Sequence, residues 1–521
     1  MATPLWKHPL PSRAIDTARR WGFVLVLILA APGLGPFPAI SRGQDPPRNA
    51  PKETGPIRQH PRNGHWFEWR GRPAALIAGG EHYGAVLNRD FDFARYLETL
   101  QRDGLNLTRT FTGAYVEPQG AFGIERNTLA PRPEAFLAPW VKIAPRQPDQ
   151  PPRYDLDRFD PAYLERLRAF LAEADRRGVV VELVLFSSTY GRAQWSIHPF
   201  NPANNLQKVG PGDFRKLHTL DNNGCLKYQE ALVRQLVTEL NDFDNMYFEI
   251  QNEPWADNSI PGEQLYPYWV EKTGFPNAVQ IPTAATLAWQ TRIAQIITQT
   301  ETDLPKRHMI AQNLANFRLA IRSEEIAEGV SLVNFHYALP EAATWNRGGR
   351  WVLGCNETGF AGRRVEPYAR DAWRFLFSGG ALYNHLDYTF SVGHEDGSDE
   401  TNNAPGGTTP EVRRRLAVLA RFLGGCDLGG LRPDPAVIVR AEGVGSWALS
   451  EPGRQLAAYF EGRGPARLTL DLAAGRWSAQ WVDPHTGALV GSASLDHPGG
   501  ALQMESPVFE QAIALRMIKG R

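Results

Sequence analysis

The chain has 521 residues, of which 42% are hydrophobic and 21% charged, a composition typical of a globular protein with a large buried core. Lys and Arg number 56, as do Asp and Glu, so the formal net charge is zero. This balance argues against a nucleic-acid or anionic-membrane partner, because either would favour a basic surface, and we expect neither. The length predicts two domains, and we expect a monomer.

The N-terminus has the pattern of an export signal. Arg19 and Arg20 precede an apolar run over residues 21–31, and small residues follow at Ala39 and Ser41. The run is short for a membrane span, so we predict a signal peptide over residues 1–41 and a secreted or periplasmic protein. An uncleaved membrane anchor is the alternative. Residues 42–62 are rich in Pro, Arg, Asn and Gln and predict a linker.

The cysteine pattern argues against a disulfide scaffold. Cys225, Cys355 and Cys426 allow at most one disulfide. Their spacing to each other and to histidines matches no zinc site, so we expect no metal.

From residue 73 onward, short apolar runs alternate with amphipathic helical patterns. Strands are predicted over 74–78, 105–111, 179–186, 246–251, 308–312, 331–335, 351–354 and 381–385. Helices are predicted over 91–102, 161–177, 225–240, 283–302, 366–378 and 410–423. Eight strands, most followed by a helix, predict an α/β fold of the (β/α)8 TIM-barrel type over residues 63–428. The rival is an open doubly wound sheet, but no Gly-rich phosphate loop follows the first strand.

The pattern changes beyond Leu431. Short alternating strands are separated there by Gly, Pro and Asp turns, which predicts a small C-terminal β-sandwich over residues 432–521. Within the barrel, long loops follow the second, third and fourth strands, at 112–160, 187–222 and 254–282. All three lie at the strand end where barrel active sites are built.

Polar residues at the carboxyl ends of barrel strands are the first candidates for catalysis. Glu253 ends the fourth strand, in Asn252-Glu253-Pro254, and Glu357 ends the seventh, on the opposing wall of the barrel mouth. Two carboxylates across a cleft, one protonated and one ionised, are the apparatus of glycoside hydrolysis. The proton donor needs a raised pKa. We also expect Pro254 to bias Glu253 toward an extended backbone.

These glutamates occur together with the run Gly104-Leu-Asn106-Leu-Thr-Arg109 on the second strand. The combination resembles clan A of the glycoside hydrolases, the 4/7 retaining superfamily, and within it the cellulase-like glycoside hydrolase family 5. The resemblance covers about residues 65–425, and the sandwich run 481–487, WVDPHTG, is similar to C-terminal β-domains appended to many such enzymes. It implies a retaining O-glycosidase that needs no cofactor and acts on a poly- or oligosaccharide.

The resemblance also implies roles for individual residues. Glu253 matches the acid/base and Glu357 the nucleophile. Asn252 matches the residue that binds the sugar 2-hydroxyl. Arg109 matches the cation that orients and ionises the nucleophile, although an ion pair with Glu249 at the barrel end is the alternative for it.

Two departures from the family pattern concern the sixth and eighth strands. His336 and Tyr337 resemble the sixth-strand His and Tyr, but here they are adjacent, whereas the family has one residue between them. Because successive strand residues point to opposite faces, both reach the site only if the strand has ended before Tyr337. The eighth-strand Trp is missing, and His385 and Asp387 stand there as substrate-binding candidates.

His82 and Tyr83 end the first strand and are further candidates for the substrate-binding floor. A second hypothesis for the whole chain is a non-catalytic secreted protein that binds carbohydrate or matrix on the same scaffold. The presence of both glutamates counts against it, because binding needs no acid and nucleophile together. A third is a barrel hydrolase acting on another bond, which the lack of a metal-ligand cluster in the sequence disfavours.

Overall fold

The computed structural model describes residues 55–144, 152–261, 280–316, 320–359, 361–404, 407 and 409–520. The predicted signal peptide and residues 42–54 of the predicted linker lie outside these ranges. Within them, no helix combines the length and the apolar character that crossing a membrane requires.

A barrel of eight parallel strands is the central feature of the described chain, as the sequence predicted. The strands are β1 (Leu76–Gly80), β2 (Leu107–Phe111), β3 (Val180–Ser187), β4 (Met246–Asn252), β5 (Ile310–Asn316), β6 (Val330–His336), β7 (Val352–Glu357) and β8 (Leu382–Leu386). Their order is β1-β8-β7-β6-β5-β4-β3-β2. Most of the runs are buried throughout, because helices cover the outer face of a parallel sheet.

Asn106 closes the barrel between β1 and β2. Its Nδ2 donates to the carbonyl oxygen of Ala75 at 2.8 Å, and its Oδ1 accepts from the backbone N–H of Ile77 at 2.9 Å. The backbone N–H of Asn106 donates to the carbonyl of Ile77 at 3.2 Å. The side chain thus supplies hydrogen bonds between β1 and β2, the two strands at the ends of this order, and the open-sheet alternative is wrong.

Helices surround the barrel. They are α1 (Phe93–Asp103), α2 (Pro161–Arg177), α3 (Arg192–Ile197), α4 (Cys225–Glu239), α5 (Ala284–Glu301), α6 (Glu341–Asn346), α7 (Val365–Phe377) and α8 (Glu411–Gly424). The α2 bounds agree with the prediction because both ends carry a local signal. Asp160 accepts from the N–H of Ala162 and Pro161 fills the first turn, while Gly178 ends the helix at φ 73°.

The barrel's outer layer is irregular where the sequence showed little helical pattern. Residues 320–329, between β5 and β6, contain only a 3₁₀ turn at Ser323–Glu325, and β6 is followed by the six-residue α6. The loop after β2 carries its own antiparallel pair, Trp140–Ile143 with Arg153–Phe159. These loops surround the carboxyl ends of the strands.

The linker prediction is wrong for residues 55–62. Arg58–Gln59 pairs antiparallel with Phe67–Trp69, and Ile57 is fully buried. The backbone N–H of Ile57 donates to the carbonyl of Asp244 at 2.9 Å. The buried Ile57 and these main-chain hydrogen bonds therefore attach residues 55–62 to the barrel, although the segment has the composition of a linker.

Two antiparallel sheets follow the barrel, as predicted. The strands are β9 (Arg432–Pro433), β10 (Ile438–Ala441), β11 (Val444–Glu451), β12 (Gln455–Gly462), β13 (Arg467–Leu472), β14 (Gly475–Val482), β15 (Leu489–His497), β16 (Gly500–Glu505) and β17 (Ala512–Lys519). The order is β9-β11-β12-β17-β14-β15 in one sheet and β10-β13-β16 in the other. Phe460, Leu470 and Trp477 belong to the core between them. On the outer side, Tyr459 stacks on Trp373 of α7 at 5.2 Å, so the sandwich packs on the barrel's helical layer.

Candidate active site

Glu253 stands directly beyond the end of β4, in a backbone conformation that the sequence did not predict. Its φ is 47°, in the left-handed region, so the expectation of an extended backbone is wrong. This region is uncommon for a non-glycine residue, and the following proline restricts the backbone further. The carbonyl of Glu253 accepts from Ser188 Oγ at 2.6 Å and from the N–H of Ala256 at 2.9 Å. These bonds hold the turn that directs the carboxylate into the barrel mouth.

The Glu253 carboxylate has a different partner on each oxygen. Oε1 lies 3.1 Å from His336 Nδ1, and Oε2 accepts from the Tyr190 hydroxyl at 2.7 Å. Burial favours the neutral acid, but the hydrogen bond and charge of His336 and the hydrogen bond of Tyr190 outweigh it, so the pKa of Glu253 is lowered. The sequence predicted a raised pKa for the proton donor, whereas the pKa of Glu253 is lowered in the protein without a bound sugar.

Glu357 ends β7 and is surrounded by donors. Its Oε1 accepts a short hydrogen bond from the Tyr337 hydroxyl. Its Oε2 accepts from the Tyr83 hydroxyl at 3.0 Å and from Arg109 Nη1 at 3.3 Å. The side chain is 8% exposed. These three donors fix the orientation of the carboxylate, as a nucleophile requires.

Tyr337 reaches Glu357 because β6 ends one residue earlier, at His336. The φ of Tyr337 is 53°, so its side chain no longer follows the strand alternation. His336 and Tyr337 consequently point into the same site although they are adjacent. The condition derived from the sequence is met by this turn.

Glu253, His336 and Glu357 each place one ligand atom within 4.8 Å of the others. Such a trio could hold a metal ion, and the sequence did not predict it. Glu357, however, already accepts hydrogen bonds from a buried guanidinium and two hydroxyls, and a cation there would face the charge of Arg109. The arrangement fits a carboxylate pair with its donors better than a metal centre.

Arg109 is fully buried in the barrel interior. It contacts both Glu357 and Glu249, the two partners that the sequence suggested for it. Its Nη2 makes a short bond to Glu249 Oε1 and donates to Asn252 Oδ1 at 2.7 Å, while Nη1 reaches Glu357. The Tyr83 ring covers its guanidinium, with the ring centroid 4.6 Å from Cζ. The alternative ion pair with Glu249 and the contact with Glu357 thus exist together, and the pair orients Arg109.

Two more buried residues complete the interior below Arg109. Asn334 Nδ2 donates to Glu182 Oε1 at 2.6 Å and to Glu249 Oε2 at 2.7 Å, and Asn356 Nδ2 bridges the same two oxygens at 3.0 and 2.5 Å. Burial, followed by the charge of Glu249, raises the pKa of Glu182 well above its usual range. Burial acts the same way on Glu249, but Arg109 outweighs it and lowers that pKa. The two pKa values shift in opposite directions, and Arg109 therefore favours the negative charge on Glu249.

The first-strand residues lie beside the carboxylates. Tyr83 binds Glu357, as above. His82 Nε2 is 3.3 Å from Glu117 Oε2, on the long loop after β2, and its side chain is 11% exposed. Burial lowers the pKa of His82, but the charge and hydrogen bond of Glu117 outweigh it, so the net shift is upward. A partly exposed histidine with a carboxylate partner is suited to bind a sugar hydroxyl.

The eighth-strand candidates are engaged elsewhere in the described chain. Asp387 forms a buried ion pair with Arg413 of α8 at 2.6 Å. His385 Nδ1 lies 3.2 Å from Thr358 Oγ1, and its ring is 4.3 Å from that of Tyr368. Burial lowers the pKa of His385 to about 4. These contacts join the barrel to its outer helices rather than to Glu253 or Glu357.

Tyr190 is a site residue that sequence reasoning missed. It lies three residues beyond β3, and its hydroxyl accepts from Asn252 Nδ2 at 2.7 Å while donating to Glu253. Asp257 fixes its position, since Oδ1 accepts from the Tyr190 N–H at 2.7 Å. The only sequence signal is an aromatic residue just past a strand's carboxyl end.

No family model matches the chain, and no curated protein sequence does. Among solved structures, a glycoside hydrolase family 5 protein from Bacteroides vulgatus ATCC 8482 is 12% identical, with a TM-score of 0.58 over 89% of this chain and 93% of that one. Another structure, named a glycoside hydrolase, is 11% identical, with a TM-score of 0.58 over 89% of this chain and 97% of that one. At these identities the likeness concerns the fold. Over most of its length, the chain has the fold of these two glycoside hydrolases.

Proposed function

We propose that the protein is an exported retaining O-glycosidase that cleaves a poly- or oligosaccharide by double displacement. The observation that carries the proposal is the pair Glu253 and Glu357, which bring carboxylate oxygens within 4.8 Å of each other in unlike surroundings. Retaining pairs are roughly 5–5.5 Å apart and inverting pairs roughly 6.5–9.5 Å, which leaves room for a water. The fold shared with solved glycoside hydrolases supports the same conclusion.

In the first step, Glu357 attacks the anomeric carbon while the bond to the leaving oxygen breaks. Glu253 gives its proton to that oxygen, and a covalent glycosyl-enzyme forms. Arg109, Tyr83 and Tyr337 hold the Glu357 carboxylate in one orientation. Asn252 binds the sugar 2-hydroxyl in this mechanism, and its contacts with Arg109 and Tyr190, which fix the side chain, support that role.

In the second step, Glu253 takes a proton from water, which attacks the anomeric carbon and releases Glu357. The lowered pKa of Glu253 keeps its carboxylate ionised, which is the form that this base role requires. The first step needs the proton. Because desolvation already acts to raise the pKa, we expect a bound sugar that excludes water to shift Glu253 toward the acid.

The test is a panel of polysaccharides and aryl glycosides, with the anomer first released identified by proton NMR. Retention is expected, and an inverted product would refute the mechanism. Glu357→Gln and Glu253→Gln should each lose nearly all turnover on natural glycosides and keep their fold, measured by circular dichroism. Glu328→Gln, at an exposed position, is the control and should keep full activity. Normal activity of Glu357→Gln would refute the assignment of Glu357 as the nucleophile.

Export, the monomeric state and the domain limits at residues 428 and 432 are part of this proposal and rest on the sequence alone. The non-catalytic binding protein is the second candidate. It is less favoured because a buried arginine and two tyrosines converge on Glu357, an arrangement that glycan binding does not require. Glycan binding by the wild type without release of reducing ends would favour it.

A further inference from the structure

One wall of the candidate site is aromatic and leads outward from Glu253. Four side chains, defined here as the aromatic wall, follow one another in edge contacts. Phe111 and Tyr115 are 6.0 Å apart between ring centroids, Tyr115 and Tyr190 are 5.9 Å apart, and Tyr190 and Phe122 are 5.2 Å apart. The row joins the strand end at Phe111 to the loop after β2.

Phe122 differs from the rest of the aromatic wall in its exposure. It is 48% exposed, whereas Phe111 and Tyr115 are nearly fully buried. It occupies the 3₁₀ turn Ala121–Gly123 with φ 57°, between Gly120 and Gly123, which are also in the left-handed region. A bulky residue rarely adopts this conformation. The turn therefore presents to solvent about half of an aromatic ring whose edge contact is with Tyr190.

The contacts of the two carboxylates show on which side of the site the Phe122 ring lies. Glu253 Oε1 faces His336, whose Nδ1 is 3.8 Å from Glu357 Oε2. Glu253 Oε2 faces Tyr190, on which the Phe122 ring packs nearly perpendicular at 86°. Phe122 therefore lies on the Oε2 side of Glu253, away from the oxygen that faces His336. In the proposed reaction, the group that leaves is the one that Glu253 protonates.

We propose that Phe122 is a platform for the leaving-group sugar, and that the substrate is an oligosaccharide with at least one pyranose beyond the scissile bond. This inference rests on the proposed function and specifies its substrate class. The C–H face of a pyranose packs on an aromatic ring, while its hydroxyls stay in water. Glu253 then lies between this platform and the sugar attacked by Glu357.

The test compares two substrates that differ in the leaving group. Tetraoses of glucose, mannose and xylose carry a sugar there, whereas the matching glycosyl fluorides carry only fluoride. Phe122→Ala should lower kcat/KM about tenfold for the tetraose that the wild type cleaves, chiefly through KM, since one aromatic contact is worth about that factor. The fluoride of the same sugar should be hydrolysed as by the wild type. Phe122→Leu, which keeps the apolar bulk without the flat face, should resemble Phe122→Ala, and Phe122→Tyr should retain activity.

Leu489→Ala, on the exposed edge strand β15, is the control for removing an exposed apolar side chain and should affect neither substrate. Equal losses on tetraose and fluoride, or a shifted basic limb of the pH profile, would mean that Phe122 acts through Tyr190, and would overturn the inference. Unchanged tetraose kinetics would overturn it as well. A wild type that cleaves no tetraose, fluoride or aryl glycoside would instead refute the proposed function.

Discussion

The Tyr337 hydroxyl donates a short hydrogen bond to Oε1 of Glu357 from a residue whose backbone has already left its strand. His336, the last residue of β6, faces Glu253 from the same turn. One change of backbone direction therefore supplies a partner to each glutamate. Because of this turn, the adjacent residues His336 and Tyr337 both point into the site, as two strand residues with one residue between them would.

Tyr337→Phe should lower kcat by roughly 10- to 100-fold. A hydrogen bond to a charged group is worth about 1.5–3 kcal/mol, and its loss leaves Glu357 less well oriented. Steady-state kinetics on an aryl glycoside with a good leaving group would measure the effect. Tyr163→Phe is the matched control, since the buried hydroxyl of Tyr163 on α2 has no hydrogen-bond partner among the described residues. Equal activity of the Tyr337 and Tyr163 variants would contradict this prediction.

The pH dependence should report on Glu253. The proton donor must be protonated for the first step, so kcat/KM falls as pH rises through the pKa of Glu253 in the free enzyme. Because that pKa is lowered, we expect an acidic optimum. Tyr190→Phe removes one of the hydrogen bonds that lower it, so the basic limb of kcat/KM should move to higher pH. A limb that stays in place, or moves to lower pH, would show that Tyr190 does not act on Glu253.

The buried pair below Arg109 provides a test of which carboxyl holds a proton. Glu182→Gln replaces a neutral acid by a neutral amide and should change kcat by less than about twofold. Glu249→Gln removes the charge that orients Arg109, and should lower kcat by roughly 10- to 100-fold, as expected for a charge-assisted contact worth about 1.5–3 kcal/mol. Comparable losses in both variants would mean that the negative charge is not confined to Glu249.

The same pair predicts how stability changes with pH. The pKa of Glu182 is raised in the folded protein, so its contribution to stability is complete below its unfolded pKa, near 4.5, and decreases as pH rises toward the folded pKa. Glu182→Gln carries no such proton. The unfolding free energy of this variant relative to the wild type should therefore increase with pH above about 4.5. Chemical denaturation at several pH values measures the difference, and a pH-independent difference would refute the assignment.

Asp387 should matter for stability. Removing one partner of a buried ion pair costs roughly 3–5 kcal/mol, so Asp387→Asn should lower the unfolding free energy by about that amount. Asp396→Asn is the control, because its pair with Arg95 is 32% and 50% exposed and is worth roughly 0–1 kcal/mol. A raised KM in Asp387→Asn with wild-type stability would instead support its predicted place in substrate binding.

The barrel was predictable from the sequence because its eight strands and its longer helices each carry a local signal. Strands β3 and β4 are apolar runs, and α2 has a capping aspartate, a first-turn proline and a terminal glycine. The strand ends followed from these runs, which placed Glu253 and Glu357 at one mouth. The folded segment at residues 55–62 was not predictable, because its polar composition conceals the few main-chain bonds and the single buried Ile57 that attach it.

Tertiary structure alone decided which polar side chains meet. Tyr190 and Glu117 lie on loops whose sequences carry no periodic pattern, and Asp387 pairs with an arginine 26 residues away. The left-handed backbone at Glu253 runs against the local preference before a proline, and bonds from Ser188 and His336 hold it. Local propensity determines strands and helices, whereas the partners of a buried carboxylate depend on chain segments that meet only when the barrel closes.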